Sequence, residues 1–228
     1  MASVHFRIRT VVGQELLVDA RTVLARIIKI AYDEGMVSVN HAARIGSVYK
    51  ADRSENIWED HHIESFLAKA SPEIAFALRL ALDSGQRQRD LINLTWNAYK
   101  NGALHLRQSK TKRRVAVPVT RLLAEELEKA RRGDSLVILL NSRGLPWTQS
   151  GFQSSWHKTA RAAGITDRTF HDLRGTAVTR MGENGCTGPE IAAVTGHALK
   201  SVEKILDTYL ARTERMARNA IAKVEAGR

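Results

Sequence analysis

Cysteine is all but absent from this sequence: Cys186 stands alone among 228 residues. A lone thiol forms no internal disulfide, so the expectation is a chain at home in a reducing cytoplasm. Proline is scarce too, four in all, and neither an internal repeat nor a low-complexity tract interrupts the chain. No apolar run approaches the ~20 residues that span a bilayer. Met1 to Val18 lacks the apolar core and small-residue cleavage site of a secretion signal. A membrane partner is therefore not expected. The remainder is ordinary globular material, 43% hydrophobic and 26% charged, enough for one sizeable core or for one domain plus part of a second.

Acid is the other shortage. Against 35 Lys and Arg there are 24 Asp and Glu, a net charge of +11 and a pI near 10.1. Such an excess attracts polyanions, although a merely basic or ribosome-associated protein would share it. The distribution narrows the choice. Between Lys100 and Val115 lie Lys100, Arg107, Lys110, Lys112, Arg113 and Arg114 with no acid at all, the footprint of a nucleic-acid surface.

Apolar residues at helical spacing predict a helix over Gln14–Tyr32, with Gly35 as its stop. Met36 to Asn56 is polar and reads as a linker. Helices resume around Asp60–Ala70, and Ser71-Pro72 caps and starts another through Ser84. A short helix through Leu91 and Leu94 follows Gly85. The strongest β signal flanks a basic turn, Ala103–Arg107 and Arg114–Val119, and predicts a hairpin. Thr120 caps a helix with Leu122, Leu123, Leu127 and Ala130 on its apolar face, ended by Gly133. Leu136–Leu140 reads as a third strand or an extended segment. Beyond Thr148 the pattern is mostly helical, with capping boxes at Thr169–Asp172 and Thr187–Glu190. The expected fold class is α+β, a mainly helical domain with a small antiparallel sheet.

Four motifs carry potential chemistry. His171 and Arg174, three apart, share a face near a helix start, where free N–H groups suit a phosphate; alone, such a pair is more often a solvated face or a structural ion pair. In Ser84-Gly85-Gln86-Arg87-Gln88-Arg89-Asp90, Arg87 can grip a phosphate and Asp90 can steady its guanidinium; alone this is a helix end followed by a charged helix. Lys110 at the hairpin turn can deliver a proton to a leaving alkoxide, or simply touch phosphate beside Lys112, Arg113 and Arg114. Last come Thr195-Gly196-His197 and Tyr209, which alone would be a buried aromatic.

In this order the set resembles the tyrosine recombinase (phage integrase) family over roughly Trp58 to Tyr209. The run from Leu104 through Arg107-Gln108-Ser109-Lys110-Thr111 to Pro118 resembles the phage-like integrases of bacteria. The resemblance implies the DNA breaking-rejoining fold, with Arg87, Lys110, His171, Arg174, His197 and Tyr209 as catalytic residues and Asp90 in support. It implies strand exchange on double-stranded DNA through a 3′-phosphotyrosyl bond, with no metal and no cofactor, by a homo-oligomer that is a tetramer on synapsed DNA. His61-His62 with Glu64, the nearest approach to a metal set, reads better as a polar helix face.

The sequence also departs from that family. Gln14–Gly35 resembles only the last helix of the helical domain that precedes the catalytic one, and Met1 to Val12 resembles none of it. The expected organisation is therefore residues 1–50 as the remnant of a core-binding domain plus linker, and 51–228 as the catalytic domain. The His197–Tyr209 spacing is longer than is usual in the family. Ala211–Val224 reads as an amphipathic helix (Met216, Ile221, Val224) that packs on a neighbouring protomer or on its own core. Rival readings are a catalytically lapsed DNA-binding remnant of a prophage integrase, a type IB topoisomerase-like enzyme, and a basic RNA-associated structural protein.

Overall fold

The computed structural model describes residues 14–40, 56–131, 135–209 and 214–226. The chain divides into two compact units, Met1–Arg53 and Ser54–Arg228.

In the first unit, helix α1 spans Gln14–Asp33, as the apolar spacing predicts. Gly35 ends it at φ 72°: Met36 N–H donates to Ala31 O at 2.8 Å and Gly35 N–H to Tyr32 O at 3.0 Å, a left-handed cap that satisfies the last carbonyls. Val23, Leu24 and Ile27 of the apolar stripe are each more than half exposed. Most of the expected linker falls outside the described residues.

The second unit begins on an aromatic core. Trp58 is 1% exposed and meets Phe66 edge-on at 5.3 Å and Trp156 at 5.7 Å. Trp156 in turn meets Phe170 at 4.7 Å. These rings join α2 (Asp60–Leu67) to α6 (Gln149–Ala162). Helix α3 (Pro72–Ser84) starts at the predicted Ser71 cap, whose hydroxyl accepts from Ile74 N–H. Ile74 through Leu82 are buried except Arg79, so α3 is apolar nearly all round and sits centrally. Helix α4 (Gln88–Ile92) follows.

The antiparallel sheet has the order β1 (Tyr99–Lys100), β2 (Ala103–Arg107), β3 (Arg114–Pro118). The predicted hairpin is β2–β3, in register Leu104↔Val117 and Leu106↔Val115. The third strand is not Leu136–Leu140, which makes only isolated bridges, Thr95↔Val137 and Leu140↔Pro146. It is Tyr99–Lys100, turned onto β2 through Asn101 (φ 52°) and Gly102 (φ 70°), the Asn-Gly turn whose twist suits a hairpin.

Helix α5 (Arg121–Ala130) is capped by Thr120, as expected, with Leu123 and Leu127 buried. Leu122, expected on that face, is 66% exposed. Consecutive residues point about 100° apart, and the face narrow enough to pack holds the i, i+4 pair instead. Gly133 lies outside the described residues. Past α6, helices α7 (Leu173–Glu183), α8 (Gly188–Thr195) and α9 (Leu199–Tyr209) pack around Val178, Ile191 and Val202. Both predicted capping boxes form. Helix α10 (Glu214–Ala226) leaves Ile221 and Val224 more than half exposed, and the side chain of Met216 lies outside the described residues.

Candidate active site

Two left-handed glycines set the site. Gly85, at φ 61°, turns the chain out of α3 and delivers Arg87 to the start of α4. Gly196, at φ 67°, turns it out of α8 and delivers His197. Neither position tolerates a side chain: a Cβ on Gly85 would stand 2.9 Å from Thr195 Cγ2, and one on Gly196 2.5 Å from Gln108 Nε2. The third contribution is the capping box. Asp172, buried, accepts from Thr169 N–H at 2.7 Å and from its hydroxyl at 2.8 Å, which places His171 in the entering turn and Arg174 in the first turn of α7.

These segments converge on Arg174, which is 3% exposed. Its Nη1 donates to Gly85 O and its Nε to His197 Nε2 at 3.1 Å. Its Nη2 is buried without a hydrogen-bond partner among the described residues. Because His197 Nε2 accepts, Nδ1 carries the ring proton and donates to Thr195 Oγ1 at 2.9 Å, and that hydroxyl donates onward to Ile191 O at 2.7 Å.

The electrostatics follow from crowding cations together away from water. Burial, then the neighbouring Arg87, pushes Arg174 down to about 9, with Asp90 opposing; it remains a cation at neutral pH. Burial, followed by Arg174, Arg87, His171 and Arg113, drives His197 down to about 3, so it is neutral. His171, whose ring keeps an exposed edge, is lowered chiefly by desolvation; Asp172 opposes, while Arg174, Arg87 and Lys110 reinforce it. Arg87, Lys110, His171, Arg174 and His197 thus share one electrostatic neighbourhood.

The hairpin loop reaches this cluster through side chains that the sequence motifs did not flag. Gln108, with no exposed surface, accepts from Arg87 Nη1 at 3.1 Å and donates to Thr195 O at 2.8 Å. Asp90 does not steady Arg87 by a hydrogen bond; its Oδ1 accepts from Ser109 N–H at 2.8 Å, next to Lys110. Arg87 is the extended cap before α4, with ψ 148°, so a three-residue spacing does not put the two side chains on one helical face. Lys110, Lys112, Arg113 and Arg114 are exposed, Lys112 at φ 59°, and Arg113 turns one guanidinium nitrogen toward Gly196 O at 3.3 Å. Tyr209 is the last residue of α9; its side chain lies outside the described residues.

A second cluster brings Glu59, His61 and His62 donor atoms within 4.8 Å of one another, with Glu59 where Glu64 was considered. His62 Nδ1 already accepts from Glu59 N–H at 3.2 Å. Its neutral proton then sits on Nε2, so neither nitrogen offers a free lone pair without dismantling the α2 cap. Among the described residues no helix is long and apolar enough to cross a membrane.

Known proteins of similar sequence and shape now bear on this geometry. The family described as phage integrase matches residues 57–215. A shufflon-specific DNA recombinase of Escherichia coli is 28% identical over 149 residues, covering 64% of this chain and 37% of its own length. The integrase of Escherichia phage lambda is 25% identical over 170 residues, 68% of this chain and 47% of that protein. The chain thus spans less than half the length of these curated relatives. Among solved structures, a lambda integrase dimer bound to a COC′ core site superposes with a TM-score of 0.71 at 21% identity, covering 88% of this chain and 61% of that one. XerA recombinase gives 0.57 at 16% identity, covering 87% and 73%.

Proposed function

The chain belongs to the phage integrase family, and we propose that it is a tyrosine-type site-specific DNA recombinase, with Ser54–Arg228 as its catalytic domain. The observation that carries this reading is the guanidinium of Arg174: buried, charged, beside a second arginine, and with Nη2 unpartnered among the described residues. Burying cations together is costly unless an anion arrives to neutralise them. A phosphodiester is the anion that the basic surface selects.

In this reading Arg87 and Arg174 hold the two non-bridging oxygens of the scissile phosphate, whose charge grows in the pentavalent transition state. The bound phosphate raises the proton affinity of His197, whose Nε2 then turns from accepting to donating toward the same oxygens. Tyr209 attacks phosphorus; as its hydroxyl titrates near 10 in water, His171, neutral at working pH, takes the proton. Lys110 protonates the departing 5′ oxygen. The 3′-phosphotyrosyl bond retains the energy of the broken linkage, so a partner strand's 5′ hydroxyl can resolve it. Double-stranded DNA is the substrate, and the working assembly is a homotetramer on synapsed duplexes.

The test uses nicked duplexes drawn from the DNA that flanks the coding sequence. The full chain should form a covalent adduct that survives denaturing gels, and Tyr209→Phe, which removes one hydroxyl, should abolish it while leaving duplex binding intact. Duplex binding without any adduct from the unsubstituted chain would overturn the proposal.

A further inference from the structure

Beneath the candidate catalytic groups, Gln108 uses its whole carboxamide. Oε1 accepts from Arg87 Nη1 at 3.1 Å and from Thr111 Oγ1 at 2.7 Å. Nε2 donates to Gln86 Oε1 at 2.8 Å and to Thr195 O at 2.8 Å. Two donors and two acceptor sites are all that an amide has. The orientation is forced as well: Gln86 Nε2 is committed to Ser84 O at 2.9 Å and Val194 O at 3.0 Å, so only the oxygen of Gln86 can face Gln108. The main chain of Gln108 meanwhile closes the loop that carries Lys110, accepting from Lys112 N–H and donating to Arg113 O.

A buried residue that merely filled space would need volume, not four directed bonds. Here the four bonds run to three segments: two to the arginine turn through Gln86 and Arg87, one to the lysine loop through Thr111, and one to the Gly196-His197 turn through Thr195. These partners lie as far as 87 residues away in the chain. The missing Cβ of Gly196, without which Nε2 could not approach, is the matching half of the arrangement.

We propose that Gln108 is a positioning residue for strand cleavage, holding Arg87, the Lys110 loop and the His197 turn in one register through its side-chain amide. The inference rests on the recombinase reading of the same site. Catalysis by clamped cations is sensitive to placement: a displacement of ~1 Å can cost about 100-fold in rate. Gln108→Glu tests the amide with little change in volume, since an ionised carboxylate would face Gln86 Oε1 and Thr195 O, both acceptors. The variant can still accept from Arg87 and Thr111 and loses only the two bonds that Nε2 donates.

The experiment measures single-turnover adduct formation on a nicked duplex, and duplex affinity separately, for the unsubstituted chain, Gln108→Glu, Gln108→Leu and Thr111→Val. At about pH 8, Gln108→Glu should bind duplex within about threefold of the unsubstituted chain yet cleave about 100-fold more slowly. Thr111→Val, at an exposed position and so secure in folding, should cleave several-fold more slowly at unchanged affinity. A loss confined to affinity, or unaltered rates, would overturn the proposal. Should the unsubstituted chain form no adduct, the recombinase reading fails on its own. Positioning is then judged on DNA-free protein: faster amide hydrogen exchange at Lys112 and His197 in Thr111→Val or Gln108→Leu upholds the linkage, and unchanged exchange refutes it.

Discussion

Replacing Arg174 by methionine should make this protein more stable while disarming it. The guanidinium is 3% exposed, and its pKa, brought down to about 9 by burial and by Arg87, measures what the folded chain suffers by keeping it charged. At ~1.4 kcal/mol per pH unit that displacement amounts to roughly 5 kcal/mol. Methionine fills similar space without the charge. Against the gain stand two lost hydrogen bonds. Gly85 O, in the buried turn, would lose its donor at about 1–3 kcal/mol, and the partly buried His197 Nε2 at ~1 kcal/mol. The balance favours Arg174→Met by about 1–3 kcal/mol, in keeping with other buried charges exchanged for apolar residues. For a chain of this size that raises the melting temperature by roughly 2–12 °C. Thermal unfolding at neutral pH, with and without a short duplex, is the assay. Duplex should raise the melting temperature of the unsubstituted chain and do far less for the variant. A variant that unfolds at lower temperature by more than ~1 kcal/mol of stability would refute the reasoning, because Arg174 would then be a strut of the fold rather than a waiting anion site.

Other perturbations follow from the same geometry. Trp58→Ala empties the aromatic core and removes the hydrogen bond from the indole to Thr169 O, so urea unfolding should show a loss of about 3–5 kcal/mol; a loss below ~1 kcal/mol would contradict the packing. His197 has a folded pKa of about 3 against an ordinary value of 6.5, so the unfolded chain takes up the proton first as pH falls. Stability should therefore be complete above about pH 6.5 and decline toward about pH 3 by up to ~1.4 kcal/mol per pH unit for this group, and His197→Gln should flatten that part of the profile. Arg107 and Arg114 face each other directly across β2 and β3, a like-charge pair that opposes the sheet unless an anion lies over it. Arg114→Gln should reduce the slope of log affinity against log salt by about 1, as measured by duplex titration at several salt concentrations.

What the sequence discloses and what it hides divide on range. Ser71-Pro72, Gly85, Thr120 and Thr187 act within a few residues, and each cap forms where their chemistry puts it. The β2–β3 hairpin is legible because apolar and polar residues alternate on both sides of a basic turn. Strand β1 escapes notice although Asn101-Gly102 announces its turn, since two residues are too few to show alternation. Leu136–Leu140 has apolar character enough for a strand, but its partners are single bridges. Helical spacing pairs Asp90 with Arg87, and that pairing fails because Arg87 is an extended cap. Gln108 stands in the run that resembles phage-like integrases, yet nothing local marks it as buried: an amide among lysines and arginines reads as solvent-facing until the fold brings it against Gln86 and Thr195. Of the proposed catalytic set, Arg87, Lys110, His171, Arg174 and His197 each sit at a glycine turn, a cap or a hairpin end, and it is their order that carries the family resemblance.

Trp58 sits where the chain enters the second unit, and it is fastened directly to the site. Its backbone N–H donates to Thr176 Oγ1 at 2.8 Å and its indole to Thr169 O at 2.9 Å, while Arg168 Nε holds the carbonyl of Ile57 at 2.8 Å. Thr169 and Thr176 bracket His171 and Arg174. The entering segment is therefore a drawbar coupled to the turn that carries the proposed base and clamp. Tension on Ile57 and Trp58 would thus reach not only the aromatic core but also the turn that carries His171 and Arg174.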